Sequence, residues 1–107
     1  MTYKYSFTKL CSQDLDEALQ YICETLCNKA AAQKLNNTFL ETVNTITAFP
    51  YSFPDCNIYL IEDKNIRHAL INNFVLIYYI DDVNKEIFLL RFQFSGRSIA
   101  DINIVGA

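Results

Sequence analysis

Glycine and proline are scarce in this sequence, with two of each among 107 residues, and tryptophan is absent. Disordered chains are rich in glycine and proline and poor in aromatic residues, whereas this chain has seven Tyr, eight Phe and 51% apolar residues. The composition is therefore that of a folded protein. A chain of this length holds one core of ordinary size, so we predict a single domain over residues 1–107.

Positive charge is also limited. Nine Lys and Arg stand against twelve Asp and Glu, which gives a formal net charge of −3 and a sequence pI of about 4.9. This balance argues against a broad electrostatic attraction to nucleic acid, although a local basic patch is compatible with it. A nuclease function would have to depend on such a patch.

No hydrophobic run is long enough to cross a bilayer, since the apolar stretch at residues 74–80 is too short. No charged amino-terminal segment leads into an apolar one either. We therefore expect a soluble, cytoplasmic protein without a membrane partner.

Metal ligands are few. The chain has one histidine, and its four cysteines lack a second CxxC-like pair; they are Cys11, Cys23, Cys27 and Cys56. We predict no metal site and no cofactor. We expect the thiols to be reduced, with Cys23 and Cys27 packed on one helix face as small hydrophobic side chains.

The first half of the chain has the pattern of one strand and two helices. Residues 3–7 alternate aromatic with polar side chains, which predicts a strand with one buried face. Thr8 is expected to cap a helix whose apolar stripe comprises Cys11, Leu15, Ala18, Ile22 and Leu26. The acidic residues Asp14, Asp16 and Glu17 are expected to favour the positive end of its dipole.

A second helix is predicted from about Lys29, capped by Asn28. Its apolar side comprises Ala32, Leu35, Phe39, Val43 and Ile46. So short a connection between two helices predicts an antiparallel hairpin. Pro50 and Pro54 then stop the second helix, because proline disfavours helix at its own position and in the residue before it.

The remainder is rich in β-branched and aromatic residues, with candidate strands at residues 57–62, 66–71, 74–80 and 86–94, the first having the weakest pattern. Residues 72–73 and 81–85 supply turns, which predicts an antiparallel meander. The order is β-α-α-β-β-β. We predict an α+β fold in which the helical hairpin packs on a small, mainly antiparallel sheet.

Short groups of residues along the chain follow the order of a known family. In the first half they are Phe7-Thr8, Asp14-Leu15, Tyr21-Ile22, and Leu26 and Asn28 followed by Ala30-Ala31-Ala32. In the second half they are Phe49-Pro50-Tyr51-Ser52, Ile66-Arg67, Asn73-Phe74, Tyr78, Ile80-Asp81, residues 87–91 and Gly96-Arg97. Over about ninety residues the chain thus resembles the small RelE/ParE toxins of bacterial type II toxin–antitoxin systems. Lys29 stands where the family commonly has proline.

The resemblance implies a growth-inhibiting toxin, of the kind associated with plasmid stabilization, held inactive by an antitoxin encoded beside it. A cognate antitoxin is the expected partner, in a toxin–antitoxin hetero-oligomer. RelE-like members cleave mRNA in the ribosomal A site, whereas ParE-like members poison DNA gyrase and have no known hydrolytic chemistry. Both groups share the fold, so the fold alone does not choose between ribosome and gyrase.

The candidate residues for contacts with a target or a phosphate are Arg67, Arg91 and Arg97, the three arginines of the chain. A metal-free ribonuclease needs cations to stabilise charge on phosphate, and arginine suits that task. Arginines beside sheet edges also form solvated ion pairs or discourage edge-to-edge pairing, and this alternative applies most to Arg91.

The groups for proton transfer are few, and we assign no catalytic residue. RelE-like nucleases typically have more basic residues and a Tyr or His near the carboxy terminus, whereas residues 98–107 contain neither. His68 follows Arg67 directly, so on a strand the two project to opposite faces. Three hypotheses follow: a ParE-like toxin that binds a protein such as DNA gyrase, a RelE-like mRNA endoribonuclease, and a degenerate toxin that retains only antitoxin binding.

Overall fold

The computed structural model describes residues 2–54 and 65–95. Its elements are β1 (Lys4–Phe7), α1 (Lys9–Gln20) with a π-helical turn (Tyr21–Thr25) at its end, α2 (Lys29–Ala48), β2 (Ile66–Ile71), β3 (Phe74–Asp81) and β4 (Glu86–Phe94). The predicted order β-α-α-β-β-β and the α+β class are confirmed. The candidate strand at residues 57–62 lies outside the described residues.

The four strands form one sheet in the order β1-β4-β3-β2. The pairs β2–β3 and β3–β4 are antiparallel hairpins, and β1 lies parallel to β4. A single irregularity interrupts the β3–β4 ladder, because Ile77 pairs with Arg91 but Tyr78 pairs with Leu89. Leu90 is thus an extra residue on β4, and such a bulge bends a strand.

Both helices begin at the predicted caps. The Thr8 hydroxyl accepts a hydrogen bond from the Cys11 amide at 3.3 Å, and the Asn28 side-chain oxygen accepts one from the Ala31 amide at 3.0 Å. Each cap satisfies an amide that has no partner inside its helix.

The core lies between the helices and one face of the sheet. The five apolar residues predicted on α2 are all buried, as are Cys11, Leu15 and Ala18 on α1. They pack against Leu76, Tyr78 and Ile80 of β3 and against Ile87, Leu89 and Phe92 of β4.

The prediction that the apolar stripe of α1 extends to Leu26 was wrong. Leu26 is 55% exposed, because the helix changes to a π turn at Tyr21 in which the Leu26 amide donates to the Tyr21 carbonyl. The wider turn rotates later side chains away from the phase of the α-helix. Cys27 then adopts a positive φ of 51° and redirects the chain into α2.

No helix among residues 2–54 and 65–95 combines the length and apolar character that a membrane crossing requires.

Candidate functional site

A two-point ion pair joins α1 to β4. Arg91 Nε donates to Asp14 Oδ2 at 2.7 Å, and Arg91 Nη2 donates to Asp14 Oδ1 at 3.1 Å. The Phe92 amide also donates to Asp14 Oδ2, at 3.1 Å. The side chains of Asp14 and Arg91 are 6% and 15% exposed, so water competes little for these bonds.

This contact explains why an acidic residue occupies a buried position on α1. β4 runs past the last residue of β1, since Phe7 pairs with Leu89. Beyond that point Asp14 accepts the hydrogen bond of the Phe92 amide. A side chain of α1 therefore replaces β1 as the hydrogen-bond partner of this part of β4. The hydrogen bonds that Arg91 donates to Asp14 raise the pKa of the Arg91 guanidinium. The expectation that Asp14, Asp16 and Glu17 favour the α1 dipole was wrong, because α1 begins at Lys9 and its first turn has no acidic residue.

Arg67 binds the loop that follows α2. Its Nη1 donates to the Phe53 carbonyl at 2.8 Å and to the Tyr51 carbonyl at 3.3 Å, and its guanidinium lies 5.0 Å from the centre of the Tyr51 ring. The buried Tyr78 hydroxyl donates to the Pro50 carbonyl at 2.7 Å. Two side chains from the sheet thus fasten residues 50–53 in place.

A carboxylate in the β3–β4 turn accepts hydrogen bonds from two tyrosine hydroxyls. The Tyr3 hydroxyl donates to Asp82 Oδ1 at 2.6 Å, and the Tyr51 hydroxyl donates to Asp82 Oδ2. These bonds lower the pKa of Asp82 and raise the pKa of Tyr51 to about 12, since the proton is held between oxygens that favour the neutral phenol and the charged carboxylate. Lys85 lies over the Tyr3 ring at 5.3 Å. We call Tyr3, Tyr51, Arg67, Asp82 and Lys85 the tyrosine cluster.

The structure does not bring Arg67 and Arg91 together. Arg67 pairs with Tyr78 and Arg91 pairs with Ile77, and these two β3 residues are consecutive, so they project from opposite faces. The two arginines therefore do not form one basic patch. Arg97 lies outside the described residues. His68 alternates with Arg67 as expected and is buried.

The sequence pattern does not indicate several residues of these contacts. It places Asp14 on a helix but does not indicate its partner on a strand 77 residues away. It places Tyr51 and Asp82 only in a loop and a turn. A carboxylate next to the apolar stripe position Leu15 was the available signal for Asp14, because a charged residue at such a boundary requires a partner.

Metal binding has no support among the described residues, which contain no group of three His, Cys, Asp or Glu side chains that could hold an ion. Cys11 is fully buried on α1, and burial raises its pKa to about 12. Cys23 is half-buried and Cys27 is exposed, both as free thiols.

Comparison with known proteins identifies a family. Residues 5–97 match the family model described as the ParE toxin of the type II toxin–antitoxin system parDE. No curated protein matches the chain.

Several solved structures have a similar fold. A chromosomal ParDE toxin–antitoxin system from P. aeruginosa aligns with a TM-score of 0.68 at 18% identity, covering 87% of this chain and 96% of that one. An archaeal RelE–RelB complex from Pyrococcus horikoshii aligns at 0.59, with 19% identity over 91% and 99% of the two chains. The RelBE2 toxin–antitoxin complex from Mycobacterium tuberculosis aligns at 0.56, with 19% identity over 88% and 99%.

Proposed function

Because this chain belongs to the ParE toxin family of type II toxin–antitoxin systems, we propose that it inhibits growth by binding a protein target, DNA gyrase being the first candidate. In this proposal the toxin acts in the bacterial cytoplasm and performs no hydrolysis. Arg67 and Arg97 contact the target, while Arg91 positions the strand that leads towards Arg97.

The observation that carries the proposal is the ion pair between Arg91 and Asp14. A nuclease arginine must direct its planar fork at the phosphate on which charge develops. Here Nε and Nη2 of Arg91 are directed at both oxygens of Asp14. That arrangement supports a role in holding β4 against α1 rather than one in phosphate chemistry.

The phenols of the tyrosine cluster support the same conclusion. A general acid or base works best when its pKa lies near the operating pH. Tyr51 has a pKa raised to about 12, and Tyr3 is shifted upwards as well, chiefly because each donates to Asp82. Both hydroxyls are therefore poorly suited to proton transfer at neutral pH.

We further propose that a cognate antitoxin binds this chain and suppresses its toxicity. The solved proteins of similar fold include toxin–antitoxin complexes. Exposed aromatic side chains just beyond the ends of α1 and α2 and at the end of β4 supply apolar surface that a partner would cover, namely Tyr21, Phe49 and Phe94. Copurification with the product of the adjacent gene tests this, and a chain without affinity for that product would refute it.

The target is tested by expressing the chain without antitoxin and measuring translation and DNA supercoiling separately. Inhibition of purified gyrase, with mRNA on programmed ribosomes left intact, is the expected result. Cleavage of A-site codons would replace the proposal with a RelE-like endoribonuclease. Absence of both effects, together with retained antitoxin binding, would identify a degenerate toxin.

A further inference from the structure

The first strand of the chain lies at one edge of the described sheet. The strand order β1-β4-β3-β2 places β4 on one side of β1 only. The Lys4 amide donates to the Lys85 carbonyl at 3.0 Å. The Thr8 amide donates to the Leu89 carbonyl at 3.1 Å. Because successive amides of a strand point to opposite edges, the even-numbered residues of β1 bond to β4 and the odd-numbered ones point away from it.

Two residues of this outer edge are open. The Tyr3 amide also points away from β4, but it donates to the Thr47 carbonyl at the end of α2, at 2.9 Å. Tyr5 and Phe7 make no backbone hydrogen bond on this side to any other part of residues 2–54 and 65–95. Beyond Phe7 the chain enters the cap of α1 at Thr8. The open edge therefore comprises the outward amides and carbonyls of Tyr5 and Phe7.

The same two residues carry exposed aromatic rings. Tyr5 and Phe7 are 42% and 39% exposed, and their rings meet edge-on with centroids 6.3 Å apart. The Phe7 ring also stacks on the buried Phe39 ring of α2 at 5.8 Å, which holds it in place. An open strand edge beside exposed rings is a template for another strand, because pairing satisfies the backbone and covers the apolar surface.

We propose that this edge pairs with β1 of a second copy of the chain, so that two sheets join across a two-fold axis. In an antiparallel arrangement centred on Ser6, Tyr5 lies opposite Phe7 of the second copy. Each outward amide then donates to an outward carbonyl, as in the hydrogen-bonded pairs of an antiparallel ladder. The open edge is thus complementary to itself, which an interface between identical copies requires. The inference does not depend on the proposed toxic activity.

The length of the open edge favours a second copy over a longer strand from another protein. In this register the second copy leaves its strand at Thr8 and enters α1, one position before it would reach Tyr3 of the first copy. The outward amide of Tyr3 is already bound to Thr47, so a longer strand would meet the end of α2 at this point.

The side chains of β1 also suit pairing with a second copy. Lys4 is the one charged residue of the strand. In the two-fold register it lies opposite Thr8 and not opposite the second Lys4, so like charges do not face each other. Tyr5 and Phe7 form a cross-strand aromatic pair on each side of the axis, and such pairs stabilise antiparallel sheets.

Sedimentation equilibrium of the purified full-length chain, without antitoxin, tests the proposal. The apparent mass should rise from 12.4 kDa towards twice that value as the concentration approaches about 1 mM, since an interface built on one short strand is small. Tyr5→Pro removes an outward amide that β1 does not use to bind β4, and an edge strand accepts proline there. It should raise the dissociation constant about tenfold more than Tyr5→Val, which loses the ring but keeps the amide. Circular dichroism establishes that both variants are folded.

Disulfide cross-linking tests the register with the edge itself intact. In a background with Cys23, Cys27 and Cys56 replaced by alanine, Ser6→Cys places two thiols at the axis, where facing Cα atoms of an antiparallel pair are about 4.5 Å apart. Glutathione disulfide should convert this variant to a covalent dimer. Lys4→Cys is the matched control, because its copy lies about 13 Å away along the strand, beyond the reach of a disulfide.

A chain that remains monomeric at about 1 mM would overturn the proposal, including the case in which this edge pairs only with a strand of the antitoxin. Equal dissociation constants for folded Tyr5→Pro and Tyr5→Val would overturn it as well. Covalent dimers formed as readily by Lys4→Cys as by Ser6→Cys would exclude the antiparallel register. Neither measurement involves gyrase or ribosomes, so failure of the proposed function leaves both results interpretable.

Discussion

Asp14 and Arg91 form a two-point ion pair across 77 residues of sequence, and the same carboxylate accepts the amide of Phe92. One side chain of α1 therefore fixes both the backbone and a side chain of β4. The bulge at Leu90 lies immediately before this contact. Because the bulge changes the register of β4, Asp14 anchors the strand where its regular pairing is interrupted.

Asp14→Ala should strongly lower the free energy of unfolding. Removing the carboxylate takes away the two hydrogen bonds that the largely buried Arg91 donates to it, and loss of one member of a buried pair costs about 3–5 kcal/mol. Urea denaturation followed by far-UV circular dichroism measures the change. Asp16→Ala on the same helix is the control, because Asp16 is exposed and should change stability by no more than about 0.5 kcal/mol. Equal stabilities for the two variants would show that the pair contributes nothing.

Thiol reactivity should differ sharply between Cys11 and Cys27. Cys11 is buried with a pKa raised to about 12, so little thiolate forms at neutral pH, whereas Cys27 is exposed. In a Cys56→Ala background, a colorimetric thiol reagent should modify Cys27 promptly and Cys11 only after denaturation. Cys23→Ala removes the remaining half-buried thiol from the count. Rapid modification of Cys11 in the folded protein would contradict its placement in the core.

The backbone at Cys27 predicts a stabilising substitution. Its φ of 51° is in the left-handed region, where a residue with a Cβ is strained by about 1 kcal/mol or more and glycine is not. Cys27→Gly should therefore raise the free energy of unfolding by about 1 kcal/mol. Cys27→Ala is the matched control, since it removes the same thiol but retains the Cβ. A gain with alanine equal to that with glycine would assign the effect to the sulfur instead.

Local pattern was enough to predict most of the helical hairpin. The spacing from Ala32 to Ile46 and the caps Thr8 and Asn28 depend on neighbours three or four residues away, and all were confirmed. The strand segments at residues 66–71, 74–80 and 86–94 were also predicted within one residue of β2, β3 and β4.

The contacts of the site required the tertiary structure. Arg67 and the Phe53 carbonyl meet only because β2 folds back beside the end of α2. Asp82 lies 31 residues from Tyr51 and 79 from Tyr3, and no periodicity reports such pairs. The π turn at Tyr21 likewise has no clear signal in residues that are all compatible with a regular helix.

Acid should remove the contribution of the tyrosine cluster to stability. Hydrogen bonds from Tyr3 and Tyr51 lower the folded-state pKa of Asp82 below that of the unfolded chain. Their contribution to stability is therefore complete above the ordinary aspartate pKa of about 4 and is lost as the pH falls through the lower folded value. Stability measured against pH should fall less steeply below about pH 4 for Asp82→Asn than for the unmodified protein. Parallel curves would show that Asp82 has no such coupling.

Alkaline titration examines the same cluster from the phenol side. The folded-state pKa of Tyr51 is raised to about 12, so its contribution is present below the ordinary tyrosine pKa of about 10 and is lost as the pH rises through the folded value. The absorbance step assigned to Tyr51 by comparison with Tyr51→Phe should move towards pH 10 in Asp82→Asn. A Tyr51 step that does not respond to Asp82→Asn would contradict the hydrogen bond.

Substitution of Arg67 and Arg97 tests the proposed contacts with the target. If the chain inhibits gyrase, Arg67→Ala and Arg97→Ala should each raise the concentration needed for inhibition of supercoiling by about tenfold, the usual scale for one important interface arginine. Lys34→Ala on the exposed side of α2 removes one positive charge elsewhere and should change the inhibition little. If the chain is instead a ribonuclease, loss of a phosphate-facing arginine should reduce cleavage about a hundredfold.

Arg67 also holds the Tyr51 and Phe53 carbonyls, so its substitution has to be separated from a local rearrangement. Arg67→Lys keeps the charge but loses the planar fork, whereas Tyr51→Phe retains Arg67 and its two carbonyl acceptors while releasing Asp82. Direct contact with the target predicts that Arg67→Lys retains part of the activity and that Tyr51→Phe retains nearly all of it. An effect through the loop alone predicts that Tyr51→Phe, which removes the bond between this loop and Asp82, also weakens inhibition. Undiminished toxicity in a folded Arg67→Ala, Arg97→Ala double variant would remove both arginines from the site, because neither then contributes to any contact on which growth inhibition depends.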